Sequence, residues 1–222
     1  MSNKFKKVNA TAHKTPVKDN SNMRTVVGLI VIALVAVAIA VWWNFSSAKP
    51  NSTANSGSNT TTGQTATQGG PTADEVQRLK SMQAAAKSDP NNIDTQKSLG
   101  DAYYDVGYAY LQANDMTNMQ ANFAQAVTAY QKYLAKTFNI DVQTDMATSA
   151  FYANEPTVAD KAFKTAIAKQ PNFLKARLNY GIFLYDAMNN APGAKAQLEI
   201  VAKQTQDPTS AQSAKDLLQQ IK

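Results

Sequence analysis

Apolar and polar positions divide the chain into three regimes. From Val26 to Trp43 the run VVGLIVIALVAVAIAVWW is 18 residues without a charge, and the two terminal indoles are its only hydrogen-bonding side chains. At about 1.5 Å per residue it reaches roughly 27 Å, enough to cross the hydrocarbon core of a bilayer. Residues 46–72, SSAKPNSTANSGSNTTTGQTATQGGPT, hold no apolar side chain larger than Ala. Such a stretch has nothing to bury and predicts a flexible linker whose ends lie on the order of 25–30 Å apart. From Ala73 onward the apolar residues recur at helical spacing.

The clearest helical stripe is Ala159, Ala162, Phe163, Ala166 and Ile167, at i, i+3, i+4, i+7 and i+8, ending before Pro171. Ahead of it, Asn154 and Pro156 read as a capping residue and a first-turn proline, so a separate helix through Met146, Ala147 and Ala150 precedes it. The two form an antiparallel pair. The arrangement recurs: Gly181 lies 34 residues after Ala147, and Asn190, Pro192, Ala194, Leu198 and Val201 follow the order of the preceding unit with one residue inserted. Upstream, Leu99, Gly100 and Tyr103 open an earlier unit, and Pro90 precedes Gly100 by the same ten residues that separate Pro171 from Gly181.

These residues resemble the tetratricopeptide repeat, whose unit reads W-x2-L-G-x2-Y, then A-x3-F, then A and P. The middle unit carries Ala159, Phe163, Ala166 and Pro171 at the family's spacing, although Met146, Ala147 and Ala150 stand where the family prefers Leu, Gly and Tyr. The first unit has Leu99, Gly100 and Tyr103 but reaches Ala126 and Tyr130 14 residues late, which predicts two extended helices. Asp74–Ser88 and Thr209–Ile221 are the expected flanking helices. The fold class implied is all-α: a helical-hairpin solenoid over 73–222, preceded by a basic tail (1–24), one transmembrane helix (25–45) and the linker (46–72). Small residues at 100, 147 and 181 would let paired helices cross closely, and the alanines at 159 and 166 would leave room for a neighbour's aromatic ring.

Charge refines the topology. The chain carries 22 Lys plus Arg against 16 Asp plus Glu. Six of the cations (Lys4, Lys6, Lys7, Lys14, Lys18, Arg24) precede Thr25 with one acid, Asp19, whereas Ala73–Lys222 holds fifteen of each sign. The net charge of +6 therefore lies outside the folded part, in the tail and at Lys49, and a neutral folded part argues against nucleic-acid binding. The cation bias places the N-terminus inside and the C-terminal domain outside a cytoplasmic membrane. A cleaved signal peptide ending at Ser46 and Ala48, giving a secreted binding protein, is the alternative. Ala36 and Ala40 would let two such helices approach, so self-association stays open. Asn44, Asn51 and Asn59 begin N-x-S/T triplets, a frequent coincidence in so polar a stretch.

Cys is absent and the only His is His13 in the tail, which removes thiolate and histidine chemistry from the domain. No cofactor, metal ion or catalytic residue is expected. The i, i+4 pairs Asp101/Asp105 and Asp141/Asp145 are the one arrangement suited to a cation or to acid–base work, and a metal-dependent hydrolase is the competing function class. Among Tyr103, Tyr104, Tyr108 and Tyr110, Tyr103 and Tyr110 belong to one helical stripe and Tyr104 and Tyr108 to the other, so at least half should be core. Met116 and Met119 suit either an adaptable contact surface or the filling of a turn.

The resemblance implies partner binding on the concave side, by the first helix of each unit. Carried over by this register, the groove holds Lys97, Asp101, Tyr104, Asp141, Asp145, Thr148, Tyr152, Lys175, Asn179, Ile182 and Tyr185. The family's carboxylate clamp needs asparagines where Asp101 and Asp145 stand and a cation where Asn179 stands. The added negative charges would repel a terminal carboxylate. The expected partner is another protein, contributing a helix or an extended segment with polar and apolar groups. The expected function is that of a membrane-tethered, extracytoplasmic adaptor assisting the assembly of envelope proteins, an analogy of layout alone.

Overall fold

A computed structural model describes residues 69–221. The basic tail, the apolar run 26–43 with its orientation and its cleaved alternative, the Asn triplets and most of the linker lie outside the described residues. Within them there are eight helices and no strand: α1 (Ala73–Ser88), α2 (Ile93–Gln112), α3 (Met116–Leu134), α4 (Ile140–Tyr152), α5 (Pro156–Lys169), α6 (Leu174–Asp186), α7 (Ala191–Ala202) and α8 (Pro208–Gln220). The all-α expectation holds. No helix among the described residues is long and apolar enough to cross a membrane.

Local chemistry sets the ends of these helices. Thr72, the last residue of the expected linker, caps α1: Glu75 N–H donates to its hydroxyl, and its own N–H donates to Glu75 Oε2 at 2.7 Å. Asn92 and Asn139 accept from Thr95 and Val142 at the starts of α2 and α4. Asn154 does not cap α5, as its position before Pro156 suggested. It sits at φ 62°, in the left-handed region, and Glu155 is the N-cap without a side-chain bond. The reason is the end of α4, where Asn154 N–H donates to Phe151 C=O and Glu155 N–H to Ala150 C=O, a Schellman closure that needs a residue at positive φ. Asn114 plays the same part after α2, with Asp115 N–H returning to Tyr110 C=O. After α6 the turn is one residue longer, and Asn189 takes the positive φ while Asn190 caps α7.

Each helix packs mainly on its neighbours in sequence, with α2/α3, α4/α5 and α6/α7 as hairpins. The even-numbered helices also touch in succession, α2 with α4, α4 with α6 and α6 with α8, more than the odd-numbered ones touch each other. They form the tighter layer. Inside the hairpins the small residues do what close crossing requires: a Cβ on Gly100 would come within 2.5 Å of the Tyr130 ring, and one on Gly181 within 2.7 Å of Leu198 Cγ. The main core runs from Ala126 and Tyr130 through Phe163 and Phe183 to Leu217, and a smaller cluster of Leu111, Met119 and Phe123 fills the extended end of the first hairpin. Met116 packs on that smaller cluster, so both methionines serve as filling.

Candidate functional site

α4 is central to the even-numbered layer, and its polar residues are consumed by the fold before they can serve anything else. Gln143 donates to Ala162 C=O, while the hydroxyls of Thr144, Thr148 and Ser149 donate to carbonyls four residues back. Thr148 also accepts from Asn179 Nδ2 at 3.1 Å, and Lys175 meets Asp145 Oδ1 at 2.7 Å. Two bridges thus join α6 to α4. They bring four expected groove residues onto one face, and they also use up much of their hydrogen-bonding capacity. Thr148 is only 7% exposed and supports that face from beneath.

On α2, Lys97 pairs with Asp101 Oδ2 at 2.7 Å, and the buried Tyr130 hydroxyl donates to Asp101 Oδ1 at 3.0 Å. Arg78, reaching over from α1, pairs with Asp105. Between these groups lies a cavity of about 210 Å³ lined by Arg78, Asp101, Tyr104, Asp105, Tyr130 and Asp145. Burial pushes the Asp105 carboxyl above its ordinary value, with Arg78 pulling the other way; burial does the same to Asp145 against the pull of Lys175. Asp141 stays exposed. Asp101, Asp105 and Asp145 are therefore each held by a separate cation, and among the described residues no group of three or more ligand-type side chains converges as a metal site would.

The tyrosines sit half in and half out. Tyr104 stacks on Tyr108 with ring centroids 6.4 Å apart and meets Phe123 edge-on at 5.5 Å, while Tyr152 lies against Phe123 at 4.9 Å and Phe151 at 4.8 Å. The rings form a continuous ladder from α2 to α4, extended to α6 by the contact of Phe151 with Phe183. All four tyrosines between 103 and 110 are half-buried, so the core and exposed stripes are not cleanly separated. Tyr104, Tyr108 and Tyr152 hydroxyls have no hydrogen-bond partner among the described residues. Burial raises all three, and Tyr104 is raised further by Asp145 while Tyr152 is raised further by Tyr108 and Asp186. Ile182 and Tyr185 are half-buried against the main core.

Sequence reasoning left four members of this face out of the groove: Arg78, because it lies on a flanking helix; Tyr130, because it belongs to the second helix of its hairpin; and Tyr108 with Asp186. Asp186 was legible. It follows Ile182 by four residues and so shares its helix face. No protein-family model, no curated protein and no solved structure matches the chain.

Proposed function

We propose that residues 73–221 form a tetratricopeptide-like solenoid that binds other proteins along α2, α4 and α6, and that the run 26–43 holds it at a cytoplasmic membrane with the domain outside. The observation that supports this reading is the set of contacts tying side chains of the three even-numbered helices together: Lys175 with Asp145 and Asn179 with Thr148 between α6 and α4, and the rings of Tyr104, Phe123 and Tyr152 between α2 and α4. Helical register adds Lys97, Asp101, Ile182 and Tyr185 to the same proposed face. In a solenoid, the side whose helices pack more closely would be the inside of a bend, and the closer approach of α2, α4 and α6 supports an elongated partner segment on that face. An adaptor of this layout would gather envelope proteins during their assembly.

The test is site-specific photo-crosslinking in intact cells. A photoreactive residue at Tyr185 should capture a discrete partner, whereas one at Lys169, exposed on the outer side of α5, should not. Protease added outside spheroplasts should release the repeat domain and leave residues 1–24 protected. Capture from Lys169 alone would dismiss the groove, and protection of the domain would reverse the topology.

A further inference from the structure

Charge in the domain is neutral in sum but sorted between its layers. The groove helices α2, α4 and α6 hold Asp94, Asp101, Asp105, Asp141, Asp145 and Asp186 against Lys97, Lys175 and Arg177. The other five helices hold nine cations against five acids. Moreover, Arg177 is turned away from the groove: it donates to Pro171 C=O and to Gln197 on α7. On the groove side Lys97, Arg78 and Lys175 each neutralise one carboxylate. Asp186 has no cation beside it among the described residues. It closes α6, where the carbonyl end of the helix adds negative potential of its own, and the last turn of α6 meets the end of α4 through Phe183 and Phe151, the latter stacked on Tyr152.

We infer that the partner segment received by this face is cationic, presenting an Arg or Lys whose charged head seats on the tyrosine ladder at the Tyr152 end, near Asp186. The inference rests on reading this face as a protein-binding groove and adds the chemistry of its occupant. Aromatic faces attract cations, guanidinium most of all because it stacks while its N–H groups reach a carboxylate. Asp186 offers the unpaired carboxylate, and three tyrosine hydroxyls are open as acceptors. The protein's own Arg78, laid against Asp105 at the rim of the cavity, shows the same pairing made internally. An acidic segment would meet Asp186 and the carbonyl end of α6 with no compensating free cation on that face among the described residues.

The full-length chain in nonionic micelles would be titrated with a labelled peptide of Arg-Ala-Ser repeats and with its citrulline isostere, read by fluorescence anisotropy at low and high salt. The arginine peptide should bind at least about tenfold more tightly, with the difference shrinking in salt. Asp186→Asn should remove most of that preference, while Glu199→Gln, on the exposed side of α7, should leave it in place. Equal binding of the two peptides, or an unaltered preference in Asp186→Asn, would overturn the inference. So would arginine-peptide binding that emerges only after the six tail cations are replaced by Gln, because the occupant would then be the chain's own tail. A neutral or acidic segment crosslinked at Tyr185 would also overturn it and leave the groove standing. Absence of any Tyr185 crosslink is the failure that belongs to the groove itself.

Discussion

Lys175 on α6 and Asp145 on α4 meet at 2.7 Å, an ion pair between two helices that are not consecutive in the chain. Their side chains are 34% and 22% exposed, which sets the pair between a surface bridge worth little and a buried one whose disruption is costly.

Lys175→Met should therefore destabilise the domain by about 1–2 kcal/mol at neutral pH, because it strands a half-buried carboxylate. Asp145→Asn should cost less, since Lys175 can turn toward water. The loss in Lys175→Met should shrink as pH falls and Asp145 takes up a proton. Urea melts at two pH values check this, and equal losses in the two variants would show that the pair is passive.

Gly100 and Gly107 lie two turns apart on α2, and the aromatic rings they face leave them different room. A Cβ at 100 would meet Tyr130 at 2.5 Å, whereas one at 107 would meet Phe123 at 3.2 Å. Gly100→Ala should cost about 1–3 kcal/mol through overpacking. Gly107→Ala should stay within about 1 kcal/mol, because a small outward shift of Phe123 is offset by the helix preference for Ala. Thermal melts of the two variants test the order, and the reverse ranking would contradict the α2–α3 packing.

Asp186 predicts an unusual response to pH. Burial raises its carboxyl from 3.8 to about 6 in the folded chain, so between those values the native state holds a proton that the unfolded state has released. Stability contributed by this group is present at low pH and falls as pH rises through that window. Asp105 and Asp145 are displaced in the same direction. Asp115, held low by its bonds from Asn118, acts in the opposite sense only below its ordinary value. The melting midpoint should accordingly be higher at pH 5 than at pH 7. Asp186→Asn should flatten that difference and add about 1–2 kcal/mol at pH 7, discounted for partial exposure. A variant that gains stability while losing the arginine-peptide preference would mark Asp186 as retained for binding. An unchanged pH profile would remove the premise.

Much of the fold was legible because its causes are local. Apolar spacing predicted the helices from Ala73 onward, the lengthened first hairpin and the small residues at 100, 147 and 181, and the extra residue after α6 is there. The reading of Asn154 as a cap went wrong because the same residue type serves two local needs, an N-cap and a left-handed turn. Which need prevails depends on how the preceding helix closes.

The candidate face was only partly legible. Register alone assigned Lys97, Asp101, Tyr104, Asp145, Tyr152, Lys175 and Asn179 to one side of the even-numbered helices, since a residue's side of a helix follows from its number. That Lys175 reaches Asp145, that Arg78 crosses from a flanking helix to Asp105, that Tyr130 rises from the second layer to Asp101 and that Asp186 is left without a cation were decided by tertiary structure. Those outcomes depend on how neighbouring helices cross and on where the ends of long side chains come to rest. A helical period carries the direction in which a residue points, and only packing determines what it finds there.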